Sequence, residues 1–248
     1  MSVILWYRIM LDSFLSLFLE SKCLLCDRSA KLVLCQYCEH QLNYSRNSQP
    51  AQFWSRELPV YTWGYYDGKL RQLIAKMKYE KHPEIGSLLG ENLAQSWQQN
   101  SPIKSKSFQV VPIPLHNSRL KQRGYNQANL IARSFCRVTG TQLRTNALKR
   151  IRVTQQMFNL NPKQRQKNID NAFQIQRATI NSLRQSPILL IDDIYTTGTT
   201  AREAAKVLKT EGITVIGIAA MASSEKGLSS ANKDNLYSDN AYKREFKD

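Results

Sequence analysis

Residues 188–200 read Ile-Leu-Leu-Ile-Asp-Asp-Ile-Tyr-Thr-Thr-Gly-Thr-Thr: an apolar run that stops at two adjacent carboxylates and passes straight into a hydroxyl-rich loop with one glycine. Four branched apolar residues in succession predict a strand buried on both faces of a parallel sheet. Ligands of such sheets bind at the carboxyl ends of the strands. Beyond the loop, residues 201–209 are good helix formers, with Ala204, Ala205, Val207 and Leu208 able to face a sheet. The loop therefore sits at a helix N-terminus, and the fold class is α/β.

A helix start offers N–H groups without intrahelical partners and a partial positive charge, which together suit a phosphate monoester. Thr196, Thr197, Thr199 and Thr200 add hydroxyl donors, and Gly198 lets the backbone come close. Asp192 and Asp193 precede this cradle at a distance suited to vicinal sugar hydroxyls or a hydrated Mg2+. The expected ligand is thus a sugar phosphate. The loop is not the common P-loop, because no Gly-Lys-Ser/Thr follows at the required spacing.

Three more blocks carry signals of their own. Val-Val-Pro-Ile-Pro-Leu-His over 110–116 is a second apolar strand ending in a proline-broken loop, and Arg119, Lys121 and Arg123 follow it, cations suited to an anion. Residues 154–168 are rich in Gln, Asn, Lys and Arg, a composition typical of an exposed loop. A turn at Asp67-Gly68 opens an amphipathic helix with Leu70, Leu73, Ile74 and Met77 on its core face and Lys76 and Lys78 able to border a site.

These four blocks resemble the type I phosphoribosyltransferases, and more narrowly the ComF/GntX family, over most of the chain from about residue 23 to 222. The resemblance implies a parallel sheet with flanking helices that binds 5-phosphoribosyl-1-diphosphate (PRPP) with Mg2+. Asp192 and Asp193 would hold the ribose hydroxyls or the metal, and the loop at 196–200 the 5-phosphate. Arg119, Lys121 and Arg123 would receive the pyrophosphate. Gly124, Tyr125, Asn126 and Gln127, with Gln155, Arg165 and Asn168 of a hood loop, would close over the ligand and keep out water, the competing nucleophile at the sugar carbon. The family is associated with natural competence, which implies DNA uptake, single-stranded DNA and the proteins of the competence machinery as partners.

Cys23, Cys26, Cys35 and Cys38 form two Cys-x-x-Cys knuckles, an arrangement suited to a tetrahedral, structural Zn2+ site. A pair of disulfides and an iron–sulfur cluster are the alternatives, and His40 is a spare ligand. A zinc-thiolate site in a nucleotide-type enzyme fits a reducing, cytoplasmic setting. Cys136 reads as a buried thiol. Ahead of the knuckles, Leu11, Phe14, Leu15, Phe18 and Leu19 recur at helical spacing, opposite Asp12, Ser13, Ser16 and Glu20. That pattern predicts an amphipathic helix; it is too short and too interrupted to be a transmembrane segment, and no small-residue cleavage site follows it.

The expected organisation is a helix and cysteine module over 1–50, the phosphoribosyltransferase-like unit over 51–222, and a polar, disordered tail over 223–248. The net charge of +16 is concentrated between residues 104 and 184, where sixteen Lys or Arg meet one acid, Asp170. One small polyanion does not need so much charge, so nucleic acid is the second expected ligand, with Arg144, Lys149, Arg150 and Arg152 as the densest cluster away from the sugar site. Three functions compete at this level: a phosphoribosyltransferase whose acceptor is open, a non-catalytic single-stranded-DNA-binding protein on the same scaffold, and a PRPP-sensing regulator. The oligomeric state is open.

Overall fold

In the computed structural model, residues 21–105, 107–153 and 169–224 are described. The helix expected over 11–20, the hood residues Gln155, Arg165 and Asn168, and the tail beyond 224 lie outside them. The chain opens with the short antiparallel pair β1 (Ser21–Lys22) and β2 (Ser29–Ala30), followed by helix α1 (Gln36–Asn43). Strand β3 (Val60–Tyr65) leads into α2 (Gly68–Tyr79) and α3 (Glu84–Asn100), and β4 (Gln109–Pro112) leads into α4 (Asn117–Arg123) and α5 (Gln127–Thr139). Next come β5 (Gln142–Leu143), β6 (Leu148–Arg150), β7 (Phe173–Ile175) and the single turn α6 (Ile180–Leu183). The described residues end on β8 (Ile188–Tyr195), α7 (Thr199–Thr210) and β9 (Val215–Ser223).

The main sheet has the order β3-β9-β8-β4-β5, and every pair in it is parallel. A parallel strand in the middle of a sheet is covered on both faces, which explains the uninterrupted apolar run at the start of β8. Leu189 and Ile191 pack with α2, α3 and α5 on one face, while Ile188 and Leu190 pack with α7 and the β6-β7 ribbon on the other. Trp97 of α3 sits at the centre of the first face, edge-on to Trp54, Tyr61, Phe108 and Phe135 at ring-centre separations of 5.7, 4.9, 5.9 and 6.0 Å. The front of the chain belongs to the same core: Cys23, Cys38 and Leu42 are buried together with Leu70, Leu73, Ile74 and Met77 of α2.

One boundary differs from what the sequence suggests. Strand β8 does not stop at the carboxylates but continues through Tyr195, because β9 (Val215–Ser223) still pairs with it there, Asp192 opposite Ala220 and Tyr195 opposite Ser223. Among the described residues, no helix is long and apolar enough to cross a membrane.

Helices α3 and α5 approach so closely that a Cβ on Gly90 would lie 2.4 Å from the Ile131 carbonyl oxygen and 2.6 Å from Ser134 Cβ. A backbone atom cannot rotate aside, so the overpacking cost of about 1–3 kcal/mol exceeds the helix-propensity gain of about 1 kcal/mol from replacing glycine. Gly90→Ala is expected to lower the melting temperature by roughly 2–6 °C in thermal unfolding; an unchanged or raised value would mean that the helices can separate without loss.

Candidate functional site

In this sheet the chain leaves β4 toward β5 and leaves β8 toward β9, so the winding direction reverses between the two adjacent strands. Their connections part at the carboxyl ends and leave a crevice there, the usual ligand position in such sheets. Asp192 and Asp193 stand at this end of β8. Successive strand residues point to opposite faces, and the two carboxylates accordingly have different neighbours. Asp193 lies on the side of Leu189 and Ile191, where the last turn of α2 supplies Lys78, whose Nζ is 2.9 Å from Asp193 Oδ2. Both members of this pair are mostly removed from solvent.

Asp192 lies on the other side, and its Oδ1 accepts a hydrogen bond from the Asp193 N–H at 2.8 Å. Burial pushes its carboxyl up to about 7, and the Asp193 charge adds to that effect. The Asp193 N–H, Lys78 and Arg150 act in the opposite direction and only partly offset it. Of the two acids, Asp193 is thus compensated by a lysine, whereas Asp192 resists ionisation in the bare protein.

Directly after β8 the backbone turns at Gly198, with φ +72, and enters α7. A side chain at Gly198 would be strained in this left-handed conformation, and its Cβ would fall 2.3 Å from Tyr195 Oη and 2.8 Å from Arg202 Nη1. Arg202 Nη2 donates to the Thr197 carbonyl at 2.8 Å, and the Thr197 and Thr199 hydroxyls are 2.9 Å apart. Asp192, the loop residues 196–200 and Ile218 line one small, open cleft. The sequence-selected loop and Asp192 are therefore together. Tyr195 and Arg202, not singled out from the sequence, frame the same turn.

The basic block after β4 is helical. His116 caps α4, its Nδ1 accepting from the Ser118 N–H at 3.2 Å, and α4 ends at Gly124 with φ +84. Arg119 and Arg123 are half-buried and Lys121 is exposed. Arg123 Nη1 donates to Gln127 Oε1 at 3.0 Å, and its guanidinium lies 5.6 Å from the Tyr79 ring centre.

Gly124, Tyr125, Asn126 and Gln127, expected to close over the site, lie at the junction of α4 and α5. Gly124 is the C-cap of α4 and Asn126 the N-cap of α5. Tyr125 Oη donates to the Met77 carbonyl at 2.7 Å, Asn126 Nδ2 donates to the Ile113 carbonyl at 2.9 Å, and Gln127 is buried. Four residues held in this way form a rigid joint between two helices. Arg150, assigned above to a cluster away from the sugar site, also changes place. Its backbone bridges His116, and its side chain interacts electrostatically with Arg119 and Asp192. Lys76, by contrast, turns outward to pair with Glu80 at 2.7 Å.

At the front, the sulfurs of Cys23, Cys26, Cys35 and Cys38 all lie within 4.8 Å of one another, with Cys26 and Cys35 at 3.5 Å, and none is in a disulfide. The edge of a tetrahedral zinc-thiolate site is on the order of 3.8 Å, so the cluster has the size for such an ion. Burial raises the Cys23 thiol, but the N–H groups of Cys35, Leu25 and Cys26 more than reverse this and bring it to about 6. Burial and the neighbouring sulfurs hold Cys38 well above its ordinary range. Four crowded sulfurs, one favoured as thiolate and another resisting charge, make a donor set that a dication would relieve. Cys136 is separate, buried in α5, with its thiol pushed up to about 11 by burial.

Comparison with known proteins agrees with this architecture. The phosphoribosyl transferase domain family matches residues 78–243. The Competence protein F of Haemophilus influenzae is 27% identical over 194 residues, covering 74% of this chain and 82% of that protein. The Competence protein ComFC of Bacillus subtilis is 28% identical over 77% of this chain and 72% of its own length. The DNA utilization protein YhgH of Escherichia coli K12 is 26% identical over 79% and 87%. With a parallel sheet, a reversal of winding that exposes the Asp-Asp and Thr/Gly segment, and a family match across two-thirds of its length, the chain belongs to the phosphoribosyl transferase family and is a relative of the ComF competence proteins.

Proposed function

We propose that the chain is a PRPP-binding, phosphoribosyltransferase-type protein that acts in natural competence and DNA uptake. The observation that carries the binding reading is the position of Asp192 and the 196–200 loop in one cleft at the carboxyl end of β8. The N-terminus of α7 and the threonine hydroxyls would hold the 5-phosphate. Asp192 and Asp193 would hold the ribose hydroxyls or Mg2+. A bound cation favours the ionised form of a nearby carboxyl, and Asp192, the acid that burial keeps from ionising, is the one that would gain from it. In transfer, the bond from the anomeric carbon to the diphosphate oxygen breaks as an acceptor bond forms. The diphosphate leaves with the electron pair, and guanidiniums beside it stabilise the charge that develops. The names of the relatives support the competence role, and the four clustered cysteines support a structural zinc.

A second reading, contact with single-stranded DNA, is favoured by the charge concentrated between residues 104 and 184. Arg144 and Arg152 of that stretch are occupied within the protein, Arg144 with Gln142 at 2.9 Å and Arg152 with the Asp170 carbonyl at 2.6 Å. Oligonucleotide binding that falls steeply with salt and is indifferent to PRPP would favour this reading over the first.

Calorimetric titration of PRPP with Mg2+ is expected to give saturable binding that weakens at least about tenfold in Asp192→Asn; absence of binding to the parent protein would overturn the assignment. The same variant has a signature without ligand. In the folded chain Asp192 keeps its proton to about pH 7, against 3.8 for an ordinary aspartate. Between those values the folded state holds a proton that the unfolded state has released, so this group's contribution to stability falls as pH rises. Asp192→Asn should therefore melt above the parent at pH 8, with the difference closing toward pH 4; a variant less stable at pH 8 would contradict the burial argument. Metal analysis should find about one zinc per chain, and chelation should lower the melting temperature. Full metal content and stability in a Cys26→Ser/Cys38→Ser variant would remove the zinc assignment.

A further inference from the structure

Stacking on unpaired bases needs exposed rings, and the basic stretch from 104 to 184 offers none among the described residues. Phe108, Phe135 and Phe173 are buried there, and Tyr125 is half-buried and tied to the Met77 carbonyl. Among the described residues the exposed Phe, Tyr and Trp side chains are Tyr37, Tyr44 and Tyr79, and the first two belong to the cysteine module. Tyr37 lies in α1 and Tyr44 is its C-cap, two turns on and about 10 Å further along the axis. His40 stands between them on the same side of the helix, and the other side is buried through Cys38 and Leu42. The His40 ring meets Tyr44 edge-on at 5.2 Å between ring centres, and the Arg28 guanidinium lies 4.9 Å from the Tyr37 ring centre. We propose that this strip of Arg28, Tyr37, His40 and Tyr44 is a stacking platform for the unpaired bases of a single nucleic-acid strand. The platform rests on the second reading above, in which such a strand is a ligand of the chain.

Every base has a flat π-face, so exposed aromatic rings hold a strand whatever its sequence, provided that cations nearby meet the phosphates. The module has both. Tyr37 and Tyr44 are 42% and 55% exposed, an apolar area that folding leaves in water. Around them Lys22, Arg28, Lys31 and Arg46 outnumber Asp27 and Glu39 between residues 21 and 46. The Arg28 plane against Tyr37 is a second flat surface that is also a cation, able to stack on a base and to reach a phosphate oxygen. At roughly 3.4 Å for each stacked nucleotide, the distance from Tyr37 to Tyr44 spans about three of them. A partner peptide of the usual apolar kind would be met by aliphatic side chains, whereas this strip presents rings and a guanidinium. Tyr79, the remaining exposed ring, has Arg123 beside it but no second exposed ring in its own helix.

Fluorescence anisotropy with the full chain and two labelled strands of equal length, oligo(dT) and an abasic strand with the same phosphates, separates stacking from charge. The parent is expected to bind oligo(dT) roughly ten- to a hundredfold more tightly than the abasic strand. Tyr37→Ala/Tyr44→Ala should lose most of that preference, while its affinity for the abasic strand stays within about threefold of the parent and its salt slope is unchanged, because no charge is removed. Tyr37→Phe/Tyr44→Phe keeps the rings and should keep the preference. Each single alanine substitution should remove part of it, and the two decide the matter if the double variant does not fold. The same preference in the parent and the alanine variants overturns the platform and leaves the single-strand reading standing. Equal losses on both strands assign the tyrosines a purely structural role and also overturn it, as does a parent that binds the two strands alike. A parent that binds neither strand overturns the platform and the single-strand reading together.

Discussion

Because β4 sends its chain outward to β5 and β8 sends its chain the other way to β9, the connections of these neighbouring strands part at their carboxyl ends. Both faces elsewhere are closed by helices or by the β6-β7 ribbon, and the interior strands are apolar for most of their length. Polar side chains can gather at that reversal without being buried, and the Thr/Gly loop, the two aspartates and the capped helix α4 stand there. The rigid joint between α4 and α5 fixes the same edge from the second strand, through the bond from Asn126 to the Ile113 carbonyl.

The charges at this opening are unequally compensated, and the inequality follows from strand geometry. Adjacent residues of β8 point to opposite faces, so Lys78 pairs directly with Asp193, while on Asp192 the charges of Lys78 and Arg150 only partly offset burial. Folding therefore works against ionised Asp192 and against two nearby guanidiniums, costs that packing elsewhere must cover. Sites that hold charge ready for a ligand commonly carry such a penalty. Tyr195 and Arg202 have a similar character. A cation over the first turn of a helix is disfavoured by the helix dipole, yet Arg202 is held there by its bond to the Thr197 carbonyl.

What could be read from the sequence had local causes. The apolar run of β8, the Thr/Gly turn into α7, the stripe Leu70, Leu73, Ile74 and Met77, and the paired Cys-x-x-Cys knuckles each depend on residues a few positions apart. Arg150 depends on pairing between β6 and His116, more than thirty residues away along the chain, and from composition alone it was one more cation in a basic stretch. The joint at 124–127 is also local: glycine after one helix and asparagine before the next are ordinary capping signals. The end of β8 was misplaced because the carboxylates looked like a terminus, whereas strand length is set by the partner β9.

The cysteine module and the sugar-phosphate cleft are physically connected through α2. Its buried stripe packs in one cluster with Cys23, Cys38 and Leu42, and its last turn carries Lys78 to Asp193. An eight-residue α1 and two two-residue strands bury too little surface to hold their own shape, so the packing of α2 on that side depends on what fixes the four sulfurs. Loosening them would leave Leu70 and Leu73, on the helix that presents Lys78, with a poorer neighbour. The four cysteines, distant from Asp193 in sequence, are thus joined to it through the packing of α2 and its Lys78.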